Sequence, residues 1–502
     1  MHRPFSLIYD HEDEKRAGLR RVHQGRFHRE RSAVQKHGLW YVFAVALLLT
    51  VASVPSALAD VTLPKVLSDH MVLQRDRPLP IWGWADPGEE VTVKLDDATA
   101  TTKADAQGDW KLVLPAVKAD GKARTMTVSG KNKIELDDIL IGDVWIGSGQ
   151  SNMDFPVFGA VGGRDVAAAA NCPQIRLLHV ERVQTSEPAK DIVVYTGARR
   201  VKGQPPPPPA TGPAWKVCTP QSVSSFSAVL YFFGQRVQKE LGVPVGLINS
   251  SWGGSSIEPW LSTGKNNGMY NGMIAPVKPL AICGALWYQG ETNVDRDSTA
   301  VYAGKMEALI EGWRQVWGYD FPFYFVQIAP WSGYKPGNLP RLWEAQAASL
   351  KIPSTGMAVT TDLVDNIKDI HPKQKFEVGN RLALWALAKE YGKKGMVYSG
   401  PLYKSMKVEG SKIRLSFAHA GGLKSRDGKP LSEFEIAGAD GKFVPAEATI
   451  DGDTIVVQAR EVASPTQVRF GWRNEANPNL VNKEGLPASP FKTDNWQGGT
   501  GE

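Results

Sequence analysis

Residues 139–149 read ILIGDVWIGSG and run directly into QSNM at 150–153. The first part is a short, nearly continuous apolar run with β-branched residues, the pattern of a strand buried on both faces. Gly147 and Gly149 then allow a tight turn that presents the next side chain and amide at the strand end. The pattern recurs in VPVGLINS (243–250), ICGALWYQG (282–290) and FPFYFVQIA (321–329). Between these runs lie stretches with helical spacing: SFSAVLYFFGQRVQKEL (225–241), Tyr302 to Trp317, and Gln374 to Glu390. Strands alternating with helices predict an α/β fold, a doubly wound parallel sheet with helices on both faces, over residues 140–398.

On either side the pattern changes to all-β. VTVKL, WKLVLP and TMTVSG, broken by Asp-Asp and Asp-Gly turns, predict an N-terminal β-sandwich domain over 60–139. KIRLSF, EFEIAG, TIVVQA and QVRFGW predict a C-terminal β domain over 399–494, with a tail at 495–502. The two β segments either close onto one another or stand apart. The proline run Pro205–Pro209 is a surface loop, because proline supplies no amide for a helix interior or central strand.

The first 59 residues are expected to lie outside the fold. Leu39 to Ala59 is uncharged and apolar, follows a basic stretch, and ends Ala57-Leu58-Ala59. That small-x-small ending predicts signal cleavage before Asp60 rather than a retained anchor, and hence an exported, periplasmic or secreted protein with no membrane partner after cleavage. The full chain carries +6, most of it in this leader. The remainder is nearly neutral and has no basic stripe, which argues against nucleic-acid binding. Three cysteines, Cys172, Cys218 and Cys283, are too scattered for a zinc site. In an oxidising compartment Cys172 and Cys218 are candidates to pair, leaving Cys283 free.

Histidine is the usual base at neutral pH. Beyond the leader the chain has four: His70, His179, His371 and His419. His371, in Asp369-Ile370-His371-Pro372, stands just before a predicted helix at the end of the α/β region, where functional loops gather. Serine offers no G-x-S-x-G elbow. Ser151, in the strand-end turn GSGQSNM, is the best-placed nucleophile. Two other strand-end loops, SSWGGSSIEP (250–259) and WYQGETN (287–293), bring glycines and amides that suit acyl transfer. No phosphate loop, zincin motif or dinucleotide fingerprint is present, so no cofactor and no metal are expected.

Taken in order, GQSNM, WGGSSIEPW, YNGMIAP, WYQGETN and DIHPKQKFEVGNRLA closely resemble the sialate O-acetylesterase family, a branch of the SGNH hydrolases. The likeness covers nearly all of residues 61–494, including LPKVLSDHMVLQRDRPLPIWGWADPG at the start and NLVNKEGLPASPFKTD at the end. It implies that Ser151 is the nucleophile and His371 its base. It also implies an oxyanion hole from the Ser151 amide, the amide of Gly253 or Gly254, and the Gln289 side chain. Many SGNH enzymes place an aspartate three residues before the histidine. Here that position is Lys368, so Asp369, two residues before, is the candidate third member, acting through its side chain or only its backbone. Asp362 and Glu291 are other carboxylates within reach. Gln150, Asn152, Glu258, Trp260, Glu291 and Asn293 are candidate substrate contacts. Larger relatives carry an inserted domain between the WGG and YNGM blocks, whereas here only Leu261 to Met269 joins them.

The expected function is therefore a serine esterase that releases acetate from O-acetylated sugars. The glycan is either sialylated or an acetylated plant cell-wall polysaccharide such as xyloglucan. Trp252, Trp260, Trp287 and Trp331 are candidates to line the sugar cleft, with core packing as their alternative role. A non-catalytic carbohydrate-binding protein accounts for the tryptophans and the leader, but not for a nucleophile and base together. A lipid esterase is disfavoured by the absence of an evident lid or apolar acyl channel.

Overall fold

The computed structural model describes residues 60–194 and 214–495. The expected leader, the proline run Pro205–Pro209 and all of the tail except Asn495 lie outside the described residues. The strands of the central sheet are β1 (Lys133–Gly149), β2 (Cys172–His179), β3 (Trp215–Cys218), β4 (Val245–Ser251), β5 (Gly284–Tyr288), β6 (Phe323–Val326) and β7 (Thr355–Ala358). Their spatial order is β7-β6-β5-β1-β4-β2-β3. Every pair from β7 to β2 is parallel, and only the edge strand β3 runs antiparallel. The chain moves out from β1 to β2, returns with β4 against β1, and then builds β5 to β7 on the other side. Strand order thus reverses at β1, and the crevice such a reversal opens lies at the carboxyl end of β1.

Helices cover both faces, which is why the central strands are apolar throughout rather than alternating. On one face lie α2 (Ala228–Leu241) and α5 (Lys375–Trp385). Phe233 of α2 meets Trp145 of β1 at a centroid distance of 4.8 Å, and Trp385 of α5 packs near Tyr324 of β6. On the other face α3 (Thr299–Trp317) brings Trp313 against Trp287 of β5 and Phe323 of β6. Helix α2 starts where the Ser227 hydroxyl accepts from the Leu230 amide, and it stops at Gly242.

The expected division between residues 139 and 140 falls inside β1. The first half of that strand pairs antiparallel with Arg124–Ser129, and its second half continues into the parallel sheet. Val72–Gln74 also pairs parallel with Leu140–Gly142. The N-terminal strands share one apolar core with the α/β region, from Val61 to Trp385 and on to Leu402. The C-terminal strands differ. Two four-stranded sheets enclose a second core that includes Tyr403, Phe417, Phe434, Phe470 and Phe491, with Tyr403 stacked on Phe491 at 4.6 Å. Cys172 and Cys218 are direct partners across β2 and β3, and both are free thiols; Cys283 is a third, buried thiol. Among the described residues no helix is long and apolar enough to cross a membrane.

Candidate active site

At the end of β1 the chain turns at Gly149, whose φ of +129° admits little but glycine. A Cβ there would lie 2.2 Å from the Tyr288 carbonyl oxygen of β5. The turn releases α1 (Ser151–Asp154), so Ser151 opens a helix at the strand-order reversal. Its amide belongs to the first turn of that helix and has no intrahelical partner. The loop after β4 is tied to the same turn, since the Trp252 amide donates to the Gly149 carbonyl at 3.0 Å. Gly253 follows, and a Cβ built on it would stand 3.4 Å from Ser151 Cβ. Gly253 therefore packs directly against Ser151. Gly254 has φ +76° with open space around it and is not packed on Ser151.

The loop between β7 and α5 supplies His371. Its Nε2 lies 2.8 Å from Ser151 Oγ, a hydrogen-bonding distance suited to proton transfer. Burial lowers the His371 pKa below its ordinary value; Lys375 adds to that and Asp369 works against it. The imidazole is thereby kept neutral and able to accept a proton. Asp369 Oδ1 accepts from the His371 amide at 2.9 Å, but stands 3.7 Å from Nδ1, beyond hydrogen-bonding length. The carboxylate shapes the loop and adds a favourable charge without gripping the ring. Asp362 is engaged elsewhere, in a buried ion pair with Arg381.

Several candidate residues lie beneath the site rather than in it. Gln289 is fully buried. Its Nε2 donates to Gln150 Oε1, the Ser255 carbonyl and Asn293 Oδ1, and its Oε1 accepts from the Tyr302 hydroxyl. With every polar atom occupied, its side chain has no donor left for an oxyanion, which corrects that expectation. Asn293 is equally buried: Oδ1 accepts from the Ile257 amide and Nδ2 donates to Asp297. Trp260 and Trp287 are core, packed edge to face at 6.1 Å, so neither lines a sugar cleft. Gln150 and Asn152 are also buried and bond inward. Of the four tryptophans considered, Trp252 and Trp331 alone are partly exposed.

One residue carries no signal in the sequence beyond its place in the DIHPKQK block. Lys375, the first residue of α5, is completely buried. Its ammonium donates to Asn152 Oδ1 and lies 4.9 Å from the Phe155 ring centroid and 5.1 Å from that of Tyr288. Asn152 Nδ2 in turn donates to Glu291 Oε1 and to the Ile370 carbonyl. Burial raises the Glu291 pKa, and its Oε2 has no partner. Glu291 is thus a buried bonding partner of Asn152 rather than a substrate contact.

The loops after β2, β4 and β5 enclose a polar groove of about 700 Å³ at the same carboxyl end of the sheet. Gln184, Ser256, Glu258, Lys265 and Arg296 line it. The short Leu261–Met269 link forms one wall through Lys265 to Gly268. Burial disfavours the Glu258 carboxylate, but the Lys305 ammonium outweighs it and holds the pKa at about 2. No group of histidine, cysteine and acidic residues suited to a metal occurs among the described residues.

Comparison with known proteins agrees with this geometry. Residues 141–388 match the model of the carbohydrate esterase, sialic acid-specific acetylesterase family. The human sialate O-acetylesterase is 30% identical, over 85% of this chain and 91% of its own length. The mouse protein of that name is 27% identical, over 86% and 93%. A crystal structure of a carbohydrate acetylesterase from Xanthomonas citri is 40% identical and superposes with a TM-score of 0.80, covering 87% of this chain and all of that one. The chain belongs to the sialate O-acetylesterase family of carbohydrate esterases, and is a carboxylic ester hydrolase that releases acetate from acetylated carbohydrate.

Proposed function

We propose that Ser151 and His371 perform the hydrolysis as a nucleophile–base pair, and that the Ser151 and Gly253 amides form the oxyanion hole. The observation that carries this reading is the 2.8 Å contact between His371 Nε2 and Ser151 Oγ at the strand-order reversal. Ser151 Oγ attacks the acetyl carbonyl carbon while its proton passes to His371 Nε2, and the carbonyl oxygen takes up negative charge against the two amides. The bond to the sugar oxygen then breaks, and that oxygen takes the proton from His371. Water, deprotonated by the same imidazole, attacks the acetyl-serine; acetate leaves and Ser151 Oγ regains its proton.

The glycan is a sialic acid or another anionic sugar acetylated on a hydroxyl. Two features support this choice. The curated relatives carry sialate in their names, and the groove formed by the loops after β2, β4 and β5 contains Lys265 and Arg296, cations suited to a sugar carboxylate. A second reading, an acetylated plant polysaccharide such as xyloglucan, is favoured by the partly exposed Trp252 and Trp331, whose faces suit stacking on neutral sugars. The protein is exported, in keeping with the apolar Leu39–Ala59 stretch and its small-x-small end.

The test is acetate release from an acetylated sialoglycan and an acetylated xyloglucan by wild type and Ser151→Ala. Release by wild type alone supports the nucleophile, and the preferred substrate identifies the glycan. Full activity of Ser151→Ala would overturn the assignment. Edman sequencing of the exported protein starting at Asp60 supports export with cleavage; a start upstream of Leu39 would contradict it.

A further inference from the structure

We propose that Lys375 is the positioning residue of this esterase: through Asn152 it locks the nucleophile turn to the loop that carries the base. The inference rests on the reading of Ser151 and His371 as the reacting pair. Asn152 is the residue after the nucleophile. Its Nδ2 donates to the carbonyl of Ile370, the residue before the base, at 3.0 Å. The same amide also holds Glu291, in the loop after β5. One side chain thus joins three strand-end loops, and its remaining polar atom, Oδ1, is taken by Lys375. An amide with its oxygen bonded to a cation has a fixed orientation, so Nδ2 must face Ile370 and Glu291. Without Lys375 the buried Oδ1 loses its donor and the amide is held at one end only, so the Ser151–His371 distance is no longer defined to the few tenths of an ångström that acyl transfer requires.

The same lysine acts on His371 through charge. The ionisable groups around the ammonium are Glu291 and Tyr288 from the β5 end and Asp365 and Asp369 from the loop before α5, and the ammonium also acts on His371 in that loop. Burial brings Lys375 down to about 7, and the three carboxylates oppose that shift. Below about pH 7 the ammonium is therefore present, in the range where His371 would take up its proton. Two cations in one buried corner repel, so His371 stays neutral, and competent as a base, to lower pH. A lysine that served only to fill space would leave the acid limb of the rate profile where it is.

The experiment compares wild type, Lys375→Met and Lys375→Arg in acetate release, with thermal melts to check folding. Lys375→Met should lower kcat about 10- to 100-fold with little change in KM, the signature of misaligned reacting groups. Its acid limb in kcat/KM should move toward higher pH, while Lys375→Arg keeps the limb in place. A Lys375→Met enzyme with an unmoved acid limb and wild-type kcat overturns the proposal, as does identical behaviour of the two variants. If Lys375→Met does not fold, NMR titration of His371 in Ser151→Ala and in Ser151→Ala with Glu291→Gln reads the same coupling. Removing the acid lets Lys375 lose its proton earlier, so the His371 titration should rise; no movement overturns the proposal. Activity of Ser151→Ala alone would instead refute the nucleophile assignment, so the two failures are distinguishable.

Discussion

Asp369 is the residue at which this site departs from a fully hydrogen-bonded triad. Its carboxylate accepts from the His371 backbone amide and remains 3.7 Å from Nδ1. Loss of an aspartate that grips the ring typically costs about 10⁴ in kcat. Asp369→Asn keeps an oxygen for the backbone amide, and its expected cost is therefore ~10-fold or less in kcat, measured as acetate release under saturating substrate. A 10⁴-fold loss would mean that the carboxylate closes on Nδ1 during turnover. The pH profile offers a second check at this scale. The His371 pKa lies below the ordinary imidazole value because the ring is buried and near Lys375. The reaction needs the neutral ring, so kcat/KM should hold as pH falls through 6.5 and decline only at lower pH. At the residue scale the sequence is legible where a side chain must sit at a strand end. Ser151 and His371 stand out by position, and the structure brings them into contact. Gln289, Asn293 and Trp260 look equally suited in the sequence, yet they face inward. Nothing in a string of letters separates the amide that lines a cleft from the one that braces it, because both stand in the same kind of polar loop after a strand. Lys375 is hidden for a related reason, since a lysine in a charged segment reads as solvated surface.

The elements that build the site are two strand ends and a helix start held by backbone contacts. Gly149 is the tightest of these. A methyl group there meets the Tyr288 carbonyl at 2.2 Å and must also adopt φ +129°. Gly149→Ala is expected to cost about 3 kcal/mol or more, seen as a lowered denaturant midpoint, together with loss of activity as β1 and β5 separate. Gly253→Ala belongs to the other class. Its φ is not in the left-handed region, and the added carbon would stand 3.4 Å from Ser151 Cβ, a close but tolerable contact. Stability should stay close to wild type while kcat falls, because the methyl group crowds the serine and shifts the amide proposed for the oxyanion hole. Equal losses of stability in the two variants, measured by urea titration, would show that the loop after β4 is structural rather than catalytic in its demands. The strands and helices themselves are readable in the sequence, since continuous apolar runs and 3.6-residue periodicity require burial on two faces and on one. The junction near residue 140 is not, because composition changes there while the backbone ladder of β1 does not break.

For the whole molecule, the C-terminal β segment has its own core but does not act as a passive appendage. Asn474 projects from it into the segment between β6 and α4 (Asn338–Ala348). Its Nδ2 donates to the Tyr334 and Lys335 carbonyls, its Oδ1 accepts from the Leu339 amide, and its backbone carbonyl accepts from the Trp331 amide. Trp331 Nε1 then donates to the Lys368 carbonyl, and the Ser332 amide to that of Ile367. A continuous set of hydrogen bonds thus runs from the C-terminal strands to the loop that carries His371. Asn474→Ala would remove three of these bonds and leave buried backbone groups unsatisfied, at an expected cost of about 1–3 kcal/mol. Because the freed segment is hydrogen-bonded to the loop that carries His371, kcat should fall as well. Thermal melts and acetate release measured on the same preparation separate the two effects. A variant that melts earlier but turns over at the wild-type rate would show that the C-terminal segment stabilises the esterase without placing its base, and that the alignment of His371 rests on Asn152 and Asp369 alone.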